Sequence, residues 1–125
     1  MSKLNLKPTL LSTAFAGMLA LSFYGEAALA ADKKGSFRSH KSYKVSGTAT
    51  VSPNGTIRLS GFSTTSGPDL YVYVGNGSPS RRVAKLKRNS GTQTYKISAA
   101  LAKSITTVHI HCKKYSSLFG TARVK

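Results

Sequence analysis

From residue 43 onward the chain alternates hydrophobic and polar positions, a spacing typical of strands that bury one face. Tyr43, Val45 and Val51 share the first such face. Turn residues separate the apolar runs, and only residues 99–103, with Ser98 as an N-cap, suit a helical turn. Strands are predicted near 43–51, 57–62, 70–75, 81–88, 92–97, 105–112 and 118–124. The pattern predicts an all-β fold of about seven antiparallel strands, a sandwich or a barrel-like domain with at most one short helical turn.

Phe62 interrupts the alternation of the second strand, because it stands out of phase with Ile57 and Leu59. A β-bulge at Gly61 would turn Phe62 back toward the core. Between the first two strands, Pro53-Asn54-Gly55 has the residues of a tight hairpin turn.

Residues 1–30 have the features of a cleavable secretory signal peptide. Lys3 and Lys7 precede an apolar stretch over 10–23, and Ala28-Leu29-Ala30 is a small-x-small cleavage motif. The mature chain holds no segment apolar and long enough to span a membrane. We therefore expect export to the periplasm or the extracellular space, with cleavage after Ala30.

The mature chain has two parts that differ in their pattern of hydrophobic and polar residues. Residues 31–42 are rich in charge, serine and glycine and show no periodicity, so they are predicted to form a flexible basic tail. Residues 43–125 are predicted to form one β domain.

The net charge is strongly positive, with 19 Lys and Arg against 3 Asp and Glu, a formal +16. Removing Lys3, Lys7 and Glu26 with the signal peptide leaves +15. Such a field attracts polyanions, and export argues for anionic envelope polymers or lipids as partners, and against nucleic acid. The alternative is that the charge only confers solubility and retention in the envelope.

Basic residues are concentrated in one predicted strand and its end. These candidate anion-binding residues are Arg81, Arg82, Lys85, Lys87 and Arg88. The alternative interpretation is that they protect an edge strand against aggregation.

The composition and the motifs of the chain do not favour an enzyme. Two acidic residues in the mature chain exclude a mechanism based on paired carboxylates, and no Gly-x-Ser-x-Gly motif or phosphate-binding glycine loop occurs. No CxxCH motif occurs, which excludes covalent haem, whereas non-covalent haem or copper stays open as a cofactor.

Cys112 is the single cysteine, and it ends the run Val108-His109-Ile110-His111-Cys112. Strand alternation places Cys112 on the apolar face and both histidines on the opposite face. The thiol is then either a buried inert side chain, a redox or metal-ligating group, or half of a disulfide with a partner. Its place at the end of the run, before two lysines, favours access to solvent.

His109 and His111 allow two interpretations. They lie on the solvated face of an outer strand, or they form a copper or zinc pair with Cys112 or with a further ligand. His40 and Asp69 are the other candidates for that ligand.

The order of several motifs resembles the electron-transfer DM domain family (the "DM thirteen" module associated with DOMON domains). The motifs are Ser46-Gly47-Thr48-Ala49, Leu59-Ser60-Gly61-Phe62-Ser63, Gly67-Pro68-Asp69-Leu70-Tyr71-Val72-Tyr73, Lys85-Leu86-Lys87, Gly91-Thr92-Gln93-Thr94-Tyr95-Lys96-Ile97, Val108-His109-Ile110-His111-Cys112-Lys113-Lys114-Tyr115-Ser116 and Phe119-Gly120-Thr121-Ala122. The resemblance covers about residues 45–124.

The resemblance implies an extracytoplasmic β domain with a redox role centred on Cys112 and an extracytoplasmic redox partner. His111 stands where family members commonly carry tryptophan. Gly67, Pro68 and Asp69 match the family motif. Because Asp69 is the sole acidic residue of the predicted domain, we expect it either to anchor a turn by accepting from backbone N–H groups or to pair with a lysine.

Overall fold

The computed structural model describes residues 30–125. The predicted signal peptide, residues 1–30, lies outside this range except for Ala30. The described chain contains eight strands and one helix: β1 (Lys33–Ser39), β2 (Val45–Val51), β3 (Thr56–Thr64), β4 (Leu70–Gly75), β5 (Arg81–Lys85), β6 (Gln93–Lys96), α1 (Ala99–Ser104), β7 (Thr107–Cys112) and β8 (Ser117–Arg123).

All strand pairs are antiparallel, and the sheet order is β5-β4-β7-β8-β1-β2-β3-β6. The sheet curls into a nearly closed barrel. Its two end strands approach each other just after β5, where the Lys87 backbone N–H donates to Tyr95 Oη at 2.9 Å. The buried Gln93 side chain adds hydrogen bonds to both backbone groups of Arg88. The prediction of an all-β barrel-like fold with one short helical turn is confirmed.

The predicted flexible tail over 31–42 is wrong for residues 33–39, which form β1. The first half of β1 pairs with β2, and the second half pairs with β8, so β1 joins both parts of the sheet. Gly35 permits this junction, since a Cβ there would lie 1.7 Å from the Arg123 carbonyl oxygen. Charged side chains hid this strand from pattern analysis, because only Phe37 is buried in it.

The predicted bulge at Gly61 is confirmed. The register between β2 and β3 shifts so that Gly61 and Phe62 both lie opposite Gly47. Gly61 adopts a φ of 57°, which glycine enters without a steric cost. Phe62 is thereby returned to the core, where its ring meets Phe37 edge-on with centroids 5.5 Å apart.

Two further local predictions are confirmed. Ser98 caps α1, its Oγ accepting the Leu101 backbone N–H at 3.1 Å. Strand β5 is an edge strand that pairs with β4 alone. Within residues 30–125, no helix has the length and apolar character needed to cross a membrane.

If β1 is an integral strand, Phe37→Ala should lower the free energy of unfolding by about 3–5 kcal/mol, because it removes a buried aromatic ring from the core. Ser36→Ala, on the exposed face of the same strand, should change it by less than about 0.5 kcal/mol. Urea unfolding of both variants makes the comparison. Equal, small effects would mean that the segment is dispensable.

Candidate functional site

Cys112 ends the central strand β7, between Leu70 of β4 and Ser117 of β8. Its side chain is 1% exposed and belongs to the hydrophobic core with Val108 and Ile110, as strand alternation predicted. The expectation that the strand end leaves the thiol accessible is wrong. Strand β7 lies between β4 and β8, and the Cys112 side chain faces the buried hydrophobic core.

The turn Gly67-Pro68-Asp69 lies directly beside Cys112. The Lys113 backbone N–H donates to the Asp69 carbonyl at 2.9 Å, which joins this turn to the end of β7. The Asp69 carboxylate pairs with Lys85 Nζ at 3.9 Å. Because the Lys85 side chain is 67% exposed, that pair adds little stability.

His109 is fully buried although it lies on the outer face of the sheet. The interpretation as a solvated histidine is therefore wrong for this residue. Strand β7 is central, and the segment after β4 folds back over it, with the Gly77 backbone N–H donating to Thr107 Oγ1 at 3.0 Å. One imidazole nitrogen lies 2.8 Å from Thr107 Oγ1, and the other 2.8 Å from Thr121 Oγ1.

The contacts of His109 are compatible with two neutral forms of its ring. Thr107 Oγ1 is buried and accepts from the Gly77 backbone N–H, so donation of its own hydrogen to His109 Nε2 would satisfy it fully. In that form the ring carries its hydrogen on Nδ1, which faces Thr121 Oγ1. The ring also hydrogen-bonds with the Ser78 backbone, so the two threonines alone do not determine the form.

Burial lowers the pKa of His109 to about 4. The neighbouring His111 acts in the same direction, and a backbone hydrogen bond with Ser78 acts against it. His109 is accordingly neutral at pH 7. Neutral imidazole is the form that its two threonine partners accommodate.

His111 is partly buried, which lowers its pKa. Its ring lies tilted against Tyr73, with centroids 4.8 Å apart. Nδ1 of His111 is buried and has no hydrogen-bond partner within the described part of the chain.

The predicted copper or zinc site does not assemble. Residues 30–125 contain no group of three or more His, Cys, Asp or Glu side chains placed to hold a metal ion. Both ring nitrogens of His109 are engaged by threonines, and Cys112 lies on the opposite face of β7. The three side chains thus do not converge.

Non-covalent haem does not fit the groove on the outer face of the sheet. A groove of about 540 Å³ lies on the outer face of β1 and β8, lined by Ser36, Arg38, Ser39, His40, Gly77, Thr121 and Arg123. A porphyrin needs an apolar surface for its faces. This lining is polar and basic, and Cys112 is not part of it.

The predicted anion-binding residues on and after β5 are all exposed, but their surroundings differ. The Arg82 guanidinium lies 5.6 Å from the Tyr71 ring. Lys87 Nζ donates to the Thr94 carbonyl, and the Arg88 guanidinium donates to the Thr92 carbonyl. Lys85 pairs with Asp69, so Arg81 and Arg82 are the side chains of this group that make neither a hydrogen bond nor an ion pair to the described protein.

Sequence analysis missed several residues that the fold brings together. Thr107 and Thr121 hold His109, and Arg38 and Arg123 flank the groove. Arg38 was hidden by the assignment of its segment to a tail. For the threonines the sequence offered no signal beyond their position on predicted strands.

The fold and the site define a small all-β barrel domain that holds one thiol in its core. A family model described as "Electron transfer DM13" matches residues 36–124, so the chain belongs to the DM13 electron-transfer domain family. No curated protein and no solved structure matches the chain.

The burial of His109 predicts a pH dependence of stability. In the unfolded chain its pKa is near 6.5, so between about pH 6.5 and 4 the unfolded state binds more protons than the folded state. The contribution of neutral His109 to the free energy of unfolding should thus be complete above pH 6.5. The free energy of unfolding should fall by on the order of 3 kcal/mol as the pH drops toward 4.

Urea unfolding at several pH values between 7 and 4 measures this effect. His109→Gln keeps hydrogen-bonding capacity without titrating, and should flatten the dependence. His111→Gln should flatten it less, because His111 is only partly buried. An unchanged slope in His109→Gln would show that other groups govern acid unfolding.

Proposed function

We propose that this protein is an exported electron-transfer domain in which Cys112 is the redox-active group. One observation carries the proposal: two of the seven motif segments of the family resemblance, 67–73 and 108–116, are hydrogen-bonded neighbours, and Cys112 lies where they meet. Membership in the DM13 electron-transfer family supports the redox class. The signal-like residues 1–30 support export.

No group of metal-binding side chains surrounds Cys112 within residues 30–125. The chemistry that fits such a lone thiol is thiol–disulfide exchange with a partner protein. The Cys112 thiol loses its proton, and the thiolate attacks one sulfur of a partner disulfide. A mixed disulfide forms, and the other partner sulfur leaves and takes up the proton. Because the chain supplies no second cysteine, a partner thiol must resolve the mixed disulfide.

Local opening of the turn after β7 would give access to the buried thiol. Its four residues, Lys113–Ser116, are all exposed, and Tyr115 is 63% exposed. Ser116 adopts a φ of 51°, which is strained for a residue other than glycine. A strained, exposed turn belongs to the least stable part of a fold, so it opens more readily than the barrel unfolds.

Oxidised glutathione tests the role of Cys112. The purified protein should gain one glutathione, detected by mass spectrometry, under conditions where the fold is intact, and dithiothreitol should remove it. Modification should be slower than in urea-unfolded protein but faster than global unfolding, because only the turn has to open. Cys112→Ser should gain nothing. Modification at the rate of global unfolding would identify Cys112 as an inert core residue.

A second candidate function is the binding of anionic polymers by edge strand β5. The supporting observation is that Arg81 and Arg82 project from an edge strand and lack hydrogen-bond partners among the described residues. Charge recognition of this kind weakens as salt screens it.

Binding to a polyphosphate resin should weaken steeply between 50 mM and 500 mM salt. The double variant Arg81→Gln/Arg82→Gln should weaken binding by about tenfold, the loss of two exposed charge contacts. Arg58→Gln/Lys103→Gln removes the same charge from exposed positions elsewhere. Equal losses in both variants would assign binding to net charge and not to β5.

A further inference from the structure

The groove on the outer face of β1 and β8 carries two unpaired cations. Arg38 lies on β1 opposite Thr121 of β8, and Arg123 follows two positions later on the same face of β8. Both arginines are exposed and line the groove. Among residues 30–125 the ion pair is made elsewhere, between Asp69 and Lys85, so neither guanidinium is neutralised there.

Thr121 places a hydroxyl group between the two arginines. Its Oγ1 lies 2.8 Å from His109 Nδ1. When the ring carries its hydrogen on Nδ1, Thr121 Oγ1 accepts it, and the hydroxyl hydrogen is free to point into the groove that Thr121 lines. This is the form in which the Thr107 hydroxyl donates to His109 Nε2.

The donor set and the size of the groove together indicate the class of ligand. Guanidinium groups match the geometry of phosphate oxygens, and a hydroxyl donor can complete the shell. A volume of about 540 Å³ is in the range of small-molecule sites and far exceeds a bare phosphate. The remaining lining is serine, histidine and glycine, which suits a polar body and not an apolar one.

We propose that this groove binds a phosphoester of a polyol or sugar, with Arg38 and Arg123 as charged donors and Thr121 as a neutral donor. His109 is a positioning residue that acts through Thr121. The site is separate from Cys112, which faces the core, and from Arg81 and Arg82 on β5. The proposal therefore stands or falls independently of the redox function.

Titration with glycerol phosphate, followed by backbone amide NMR shifts, tests the proposal. Shifts should saturate and map to residues 36–40, 77 and 121–123. Glycerol alone should produce none, and inorganic phosphate should bind more weakly. Arg38→Gln and Arg123→Gln should each raise the dissociation constant by about tenfold, the loss of a charge-assisted hydrogen bond. Arg58→Gln, an equal charge loss at an exposed position of β3, should change it less than about twofold.

Thr121 supplies a second, milder test. Thr121→Val removes the hydroxyl donor and should weaken binding by about fivefold, whereas Thr121→Ser retains it and should bind as the parent does. The ¹⁵N shifts of His109 should identify the Nδ1–H form in the parent protein. A dominant Nε2–H form would remove Thr121 from the donor set.

The same titration, repeated with a polymer, distinguishes a polymeric from a free phosphoester ligand. A glycerol phosphate polymer that binds more tightly per phosphate than the monomer would assign the groove to an envelope polymer. Equal affinity would assign it to a free phosphoester. The proposal is overturned if Arg58→Gln weakens binding as much as Arg38→Gln does, or if the shifts do not saturate.

Discussion

The pairing of β1 with strands on both of its sides is the constraint on which the barrel depends. Strands β2, β3 and β6 form one part of the sheet, and β4, β5, β7 and β8 form the other. β1 supplies the ladder hydrogen bonds between them, and Lys34 adds two backbone hydrogen bonds to Lys125 at 3.3 Å. Gly35 makes this possible because no side chain stands between the backbones of β1 and β8.

The same junction also creates the polar groove. When β1 lies beside β8, it brings Arg38 next to Thr121, and Thr121 in turn contacts His109 of β7. Two contacts, Arg38 with Thr121 and Thr121 with His109, thus connect an exposed arginine to a buried imidazole. The pairing of β1 with β8, which joins the two parts of the sheet, therefore also places these polar side chains along one groove.

The central position of β7 explains why its two faces differ so much from the expectation for a surface strand. Its inner face carries Cys112 into the core, and its outer face is covered by the segment after β4. Both the thiol and His109 are therefore withdrawn from water. A redox role for Cys112 needs local opening, and the imidazole stays neutral because its charged form would lose hydration.

The sequence by itself determined the fold class, most strands, the bulge at Gly61 and the face on which Cys112 lies. These follow from local causes, namely side-chain alternation, turn residues and backbone freedom. Only the tertiary structure decided that residues 33–39 form a strand, that His109 is buried, and that Arg38, Thr121 and Arg123 share a groove. Those facts depend on which strands become neighbours, and pairing between distant segments leaves little trace in local pattern when the strand is mostly polar.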